Sequence, residues 1–172
     1  MSDAEIAAVL REVTPALARG SLPPAVFVIP AGSRRWTAAC ADLVAAGDND
    51  LGIPPRAFAY AAIGMLAAAL GAEACWVADP AMSAGPERTP DAVVVTCFAR
   101  GRLEVHVHPY VRAAGGDLRW GEPSVQASGD PGGLGMTLPL WRAMNREPAP
   151  LPPAGQLLED LADSGFVLSV DG

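Results

Sequence analysis

The chain has 172 residues, of which 51% are apolar, and it carries a net charge of −7 with a pI near 4.7. That length suits one domain, residues 1–172, able to bury a core without disulfide or metal staples. The acidic balance leaves no positive field to offset a phosphate backbone or an anionic lipid surface, so nucleic-acid and membrane-surface partners are excluded. All twelve basic residues are arginine. Without lysine there is no Walker-type phosphate loop and no Schiff-base nucleophile. Arginine in place of lysine, with 18 Gly and 17 Pro, is the composition of a GC-rich genome and points to a bacterium.

Ser2 and Glu5 have the spacing of a capping box, and Ile6, Val9, Leu10, Val13 and Leu17 follow at helical intervals, which predicts a first amphipathic helix kinked or ended by Pro15. Ala25 to Ile29 is a short apolar run between prolines and reads as a strand. After Gly32, Ser33 is placed to cap a second helix with a stripe of Trp36, Ala39, Cys40, Leu43 and Val44. Pro54-Pro55 opens a third helix, and Ala57 to Ala72 contains no charge, which predicts the most buried helix of the fold. The run is shorter than the ~20 residues a membrane span needs.

Cys75 to Ala78 reads as a strand and the stretch from Pro80 to Pro90 as an exposed loop. The sharpest local signal follows: two β-rich runs, Ala92 to Phe98 and Leu103 to Val111, flank Arg100-Gly101 and predict a hairpin with Cys97 opposite Glu104. Leu118 to Val125 adds a broken edge strand, Ser128 to Gly135 a glycine-rich loop, and Leu138 to Asn145 a short helix. A last helix carrying Leu157, Leu158 and Leu161 passes through Gly165 into a terminal strand, Phe166 to Val170. The expected architecture is α+β, a mainly antiparallel sheet of five or six strands with packed helices. Leu70-Gly71-Ala72, a strand and Asp79 form a pattern similar to one in GAF-like sensory folds, too short to name a family.

Three segments could carry chemistry. In a strand, Arg102, Glu104, His106 and His108 share one face, and two imidazoles with a carboxylate can hold a divalent metal such as zinc; the same pattern also suits a wet strand face, with Val105 and Val107 turned to the core. Asp79, Asp91 or a cysteine would have to complete such a site. Ser33, Arg34 and Arg35, placed at a helix start, could bind a phosphate or carboxylate. Small residues at Ala57, Ala61, Gly64, Ala68 and Gly71 let another element approach the third helix closely.

Cys40, Cys75 and Cys97 are odd in number, widely spaced and set in apolar segments, as reduced core thiols are. The opening Met-Ser-Asp-Ala-Glu lacks the basic start and apolar run of a secretory signal, so a cytoplasmic location is expected. The expected function is a non-catalytic binding or interaction domain, accessory or regulatory, whose partner is another protein or a second copy in a homodimer. No cofactor and no catalytic residue are assigned. The alternatives are a small metal-dependent hydrolase or isomerase centred on Glu104, His106 and His108, and a sensor of a small anionic ligand at Ser33, Arg34 and Arg35.

Overall fold

The computed structural model describes residues 2–41, 43, 55–80, 92–128, 137–145 and 150–172. Four helices, α1 (Ser2–Ala18), α2 (Pro55–Ala69), α3 (Leu138–Asn145) and α4 (Ala154–Asp163), pack on a sheet of eight strands. The strands are β1 (Ala25–Ala31), β2 (Arg34–Cys40), β3 (Ala74–Ala78), β4 (Ala92–Ala99), β5 (Arg102–Arg112), β6 (Leu118–Trp120), β7 (Ser124–Ser128) and β8 (Val167–Asp171). Their order is β6-β5-β4-β3-β1-β2-β8, with β7 beside β5, and every pairing is antiparallel. The α+β class is as expected. The sheet is larger than five or six strands because Arg34 to Cys40 is extended and the 118–128 segment forms two strands.

Alternation along the strands divides the core into two layers. Phe27 and Ile29 point to one face, where they meet Tyr60 and Ile63 of α2, Leu140 of α3, and Leu157 and Leu161 of α4. Val26 and Val28 point to the other, where they meet Val9, Val13 and Leu17 of α1 together with Trp76 and Val95. Among the described residues, three helices thus cover one face and α1 the other.

The predicted second helix is instead β2. Gly32, at φ +62°, lets the chain reverse in two residues, and Ala31 pairs with Arg34 to start a tight β1–β2 hairpin. Trp36, Ala38 and Cys40 then face the three-helix layer at strand spacing. Pro15 does not end α1, which continues to Ala18 with its inward residues Val13, Ala16 and Leu17 buried. The Thr14 hydroxyl donates to the Leu10 carbonyl at 2.5 Å on that stretch.

The β4–β5 hairpin has the predicted register, Cys97 opposite Glu104 and Ala99 opposite Arg102, with Gly101 at φ +66° in the turn. Its turn is tied to the end of α3, where the Gly101 N–H donates to the Asn145 side-chain oxygen at 2.5 Å. Along α2, Ala59, Tyr60, Ile63, Leu66 and Ala67 are buried. Its outward stripe, Ala62, Met65 and Ala69, is half-buried, and Phe58 is 43% exposed, so the charge-free helix keeps one side partly open. Gly64 faces α3 so closely that a Cβ there would lie 2.5 Å from that of Ala143; the close approach read from the small residues is an internal helix crossing. No described helix is long and apolar enough to cross a membrane. The loop read at Pro80 to Pro90 lies outside the described residues beyond Pro80, as does the glycine-rich loop beyond Ser128.

Candidate functional site

β5 brings Glu104, His106 and His108 to one face, as alternation requires, but the face is not the wet one. It is the α1 side of the sheet, and both imidazoles are buried. The exposure expected from the sequence fails because this face is the one that packs beside Trp76, Val93 and Val95 on the α1 side, while β7 pairs alongside β5 only from Leu103 to Val107. On the opposite side Val105 and Val107 are only half-buried. The His106 ring lies 5.4 Å from the Trp76 ring, centroid to centroid, and stacks nearly parallel with His108 at 6.4 Å.

His106 Nε2 sits 3.3 Å from a Glu104 oxygen, and the Arg102 guanidinium donates to the other oxygen. The carboxylate is thereby shared between a surface arginine and a buried imidazole. His108 Nε2 is buried with no hydrogen-bond partner. Burial, then the neighbouring His106, holds the His108 pKa below its ordinary value, so this ring stays neutral at pH 7. Among the described residues, no three His, Cys, Asp or Glu side chains group closely enough to hold a metal.

The residues named as completing ligands are placed elsewhere or do other work. The carboxylate of Asp79 accepts a hydrogen bond from the buried Tyr60 hydroxyl at 2.9 Å. Asp91 lies outside the described residues. Cys97 stands opposite Glu104, and its thiol is pushed up to about 12 by burial and the Glu104 charge. It stays protonated near neutrality and is not an activated nucleophile. Cys75 is raised further, mainly by burial.

Ser33, Arg34 and Arg35 converge on a pocket, although not at a helix start: Ser33 is in the β1–β2 turn and the arginines begin β2. The pocket has a volume of about 220 Å³ and is also lined by Glu5 of α1 and Asp171 of β8. Arg35 Nη2 lies 3.8 Å from Glu5 Oε1, and its Nε is buried with no partner. Arg11 approaches Asp171 at 3.6 Å.

Beside this pocket runs the outer edge of β8. It pairs with β2 through Arg35–Asp171 to Ala39–Val167 and, among the described residues, ends the sheet. Val167 is 72% and Val170 48% exposed. No family model, curated protein or solved structure matches the chain.

Sequence reasoning missed Glu5 and Asp171 because they lie at opposite ends of the chain and meet only through the β2–β8 pairing and the seating of α1. It missed the packing of Trp76 on His106 for a similar reason: these residues are joined only by the β3–β4–β5 ladder. The β1–β2 hairpin did have a local signal. Gly32-Ser33, two residues between an apolar run and the Trp36–Cys40 segment, is a recognised two-residue turn pattern.

Proposed function

We propose that the chain is a non-catalytic interaction domain that takes an extended segment of another protein as an added strand along β8. The observation that carries this reading is the β8 edge itself. Sheet edges that must stay unpaired are commonly blunted by proline, lysine, bulges or very short strands. Five-residue β8 has no proline and no basic residue, and it presents Val167 and Val170 to solvent. The opposite edge is divided between two strands at different ends of β5, with Gly121 packed on Pro109 between them.

An added strand would satisfy the outward backbone donors and acceptors of β8 and cover part of Val167 on one face and of Val170 on the other. Charge selects the partner. Glu159, Asp160 and Asp163 are exposed on α4, which ends four residues before β8 begins, and the whole chain carries −7. A second copy paired edge to edge would bring two such acidic helices together. A segment alternating apolar with basic residues would instead be attracted.

Selection from a random peptide library against the folded protein tests this reading. The expected winners alternate apolar and basic residues, protect the β8 amides from hydrogen exchange, and lose binding to V167K and V170K. Winners that protect another element and bind both variants normally would overturn it.

A further inference from the structure

The cavity at the β1–β2 turn joins three parts of the chain that are remote in sequence: the first turn of α1, the start of β2 and the end of β8. Charges of both signs line it, Arg34 and Arg35 against Glu5 and Asp171. We propose that it binds a small zwitterion of the α-amino-acid class, with the ligand carboxylate on Arg34, Arg35 and the Ser33 hydroxyl and the ligand ammonium on Glu5 and Asp171.

Two ion pairs mark the pocket: Arg35 lies 3.8 Å from Glu5 in its lining, and Asp171 lies 3.6 Å from Arg11, which stands beside it. Both separations are beyond hydrogen-bond length, so each pair leaves room for a closer partner. The Arg35 Nε is buried without a hydrogen-bond partner, while the side chain as a whole keeps 28% of its surface exposed, so a ligand would reach the outer guanidinium nitrogens. A ligand carboxylate would add charge-assisted hydrogen bonds to the arginines, and a ligand ammonium would add them to the two acids.

Sign and size narrow the ligand further. A simple anion would meet Glu5 and Asp171, and a simple cation would meet Arg34 and Arg35, so each alone gains on one side and is repelled on the other. A molecule carrying both charges a few bonds apart avoids this. The volume of about 220 Å³ is below that of pockets for drug-sized ligands and suits a small solute. This differs from the simple anion site expected from Ser33, Arg34 and Arg35 alone, because the two acids enter only with the fold.

Isothermal titration calorimetry of the full chain with each of the twenty L-amino acids tests the assignment, with propionate and propylamine as single-charge controls. The expected result is saturable binding of at least one amino acid at one per chain, with neither control binding comparably. R34Q, at an exposed position, should weaken that binding tenfold or more while the circular dichroism spectrum is unchanged. E5Q should weaken it as well, and V167K, on the β8 edge, should leave it intact. No saturable binding by any of the twenty, propionate binding as tightly as the best amino acid, or unchanged affinity in R34Q would each overturn the proposal.

Discussion

The two faces of the sheet are built differently. On one side three of the described helices meet the strands over a cluster running from Phe27 and Phe98 to Tyr60, Leu140 and Leu161, where the buried Asp79 carboxylate is held by the Tyr60 hydroxyl. On the other side a single helix, α1, covers Val26, Val28, Trp76 and Val95. One helix about 10 Å wide cannot cover eight strands spaced about 4.8 Å apart. This face carries charged and polar groups beside α1: Arg35 and Asp171 at the β2–β8 end pair with Glu5 and Arg11 of the helix, and Glu104, His106 and His108 stand on β5.

If that contrast holds, the costliest substitutions lie on the three-helix face. Phe27 is fully buried, edge-on to Tyr60 at 5.3 Å and tilted against Phe166 at 5.9 Å. Phe27→Ala should cost about 3–5 kcal/mol in urea denaturation, since it removes the ring and leaves a cavity among three elements. A loss under about 1 kcal/mol would mean that this layer is not the main core.

Gly64→Val tests the helix crossing inside the same layer. The new side chain would press on Ala143 and Leu140, and a destabilisation of about 1–3 kcal/mol is expected. Tolerance of valine would show that α2 and α3 are not in close contact.

The single-helix face should instead show itself in pH dependence. His108 has a folded pKa below its ordinary 6.5, so below pH 6.5 the unfolded chain binds more protons at this position. Its contribution is complete above pH 6.5 and is lost as pH falls from there toward the depressed folded value. His108→Leu should remove that dependence and, by eliminating an unpartnered buried nitrogen, raise stability at pH 7 by about 1 kcal/mol. Thermal melts of both proteins between pH 5 and 8 would check the sign. A mutant that loses stability at pH 7 would mean that the ring has a partner in solution.

The smallest effect belongs to the rim. Arg11 and Asp171 are both well exposed, and Arg11→Ala should change stability by less than about 0.5 kcal/mol at ordinary salt. A larger loss would extend the organised part of the single-helix face out to its edge.

Where local pattern and tertiary need agree, the elements were legible. The charge-free run from Ala57 predicted a helix, and α2 is one, although Phe58 and the stripe of Ala62, Met65 and Ala69 leave one side of it partly open. The β-rich runs around Arg100-Gly101 fixed a hairpin down to the pairing of Cys97 with Glu104. Arg34 to Cys40 was ambiguous, because Trp36, Ala39 and Cys40 satisfy a helical period while Trp36, Ala38 and Cys40 satisfy a strand. Alanine decides little by itself, and pairing with β1 on one side and β8 on the other settled the matter. The alternation in Arg102 to His108 placed the two histidines and Glu104 together. It could not say which face water would reach.

The sequence by itself determined the α+β class, most strand and helix positions, and which residues of β5 share a side, because these follow from periodicity and turn chemistry within a few residues. Only the tertiary structure decided that the face of β5 carrying the histidines would be the buried one, that Glu5 and Asp171 would join Arg34 and Arg35 around one pocket, and that β8 would end the sheet of the described residues. Each of those facts depends on contacts between segments tens to more than a hundred residues apart, and residue spacing along a chain carries no information about which distant strand becomes a neighbour.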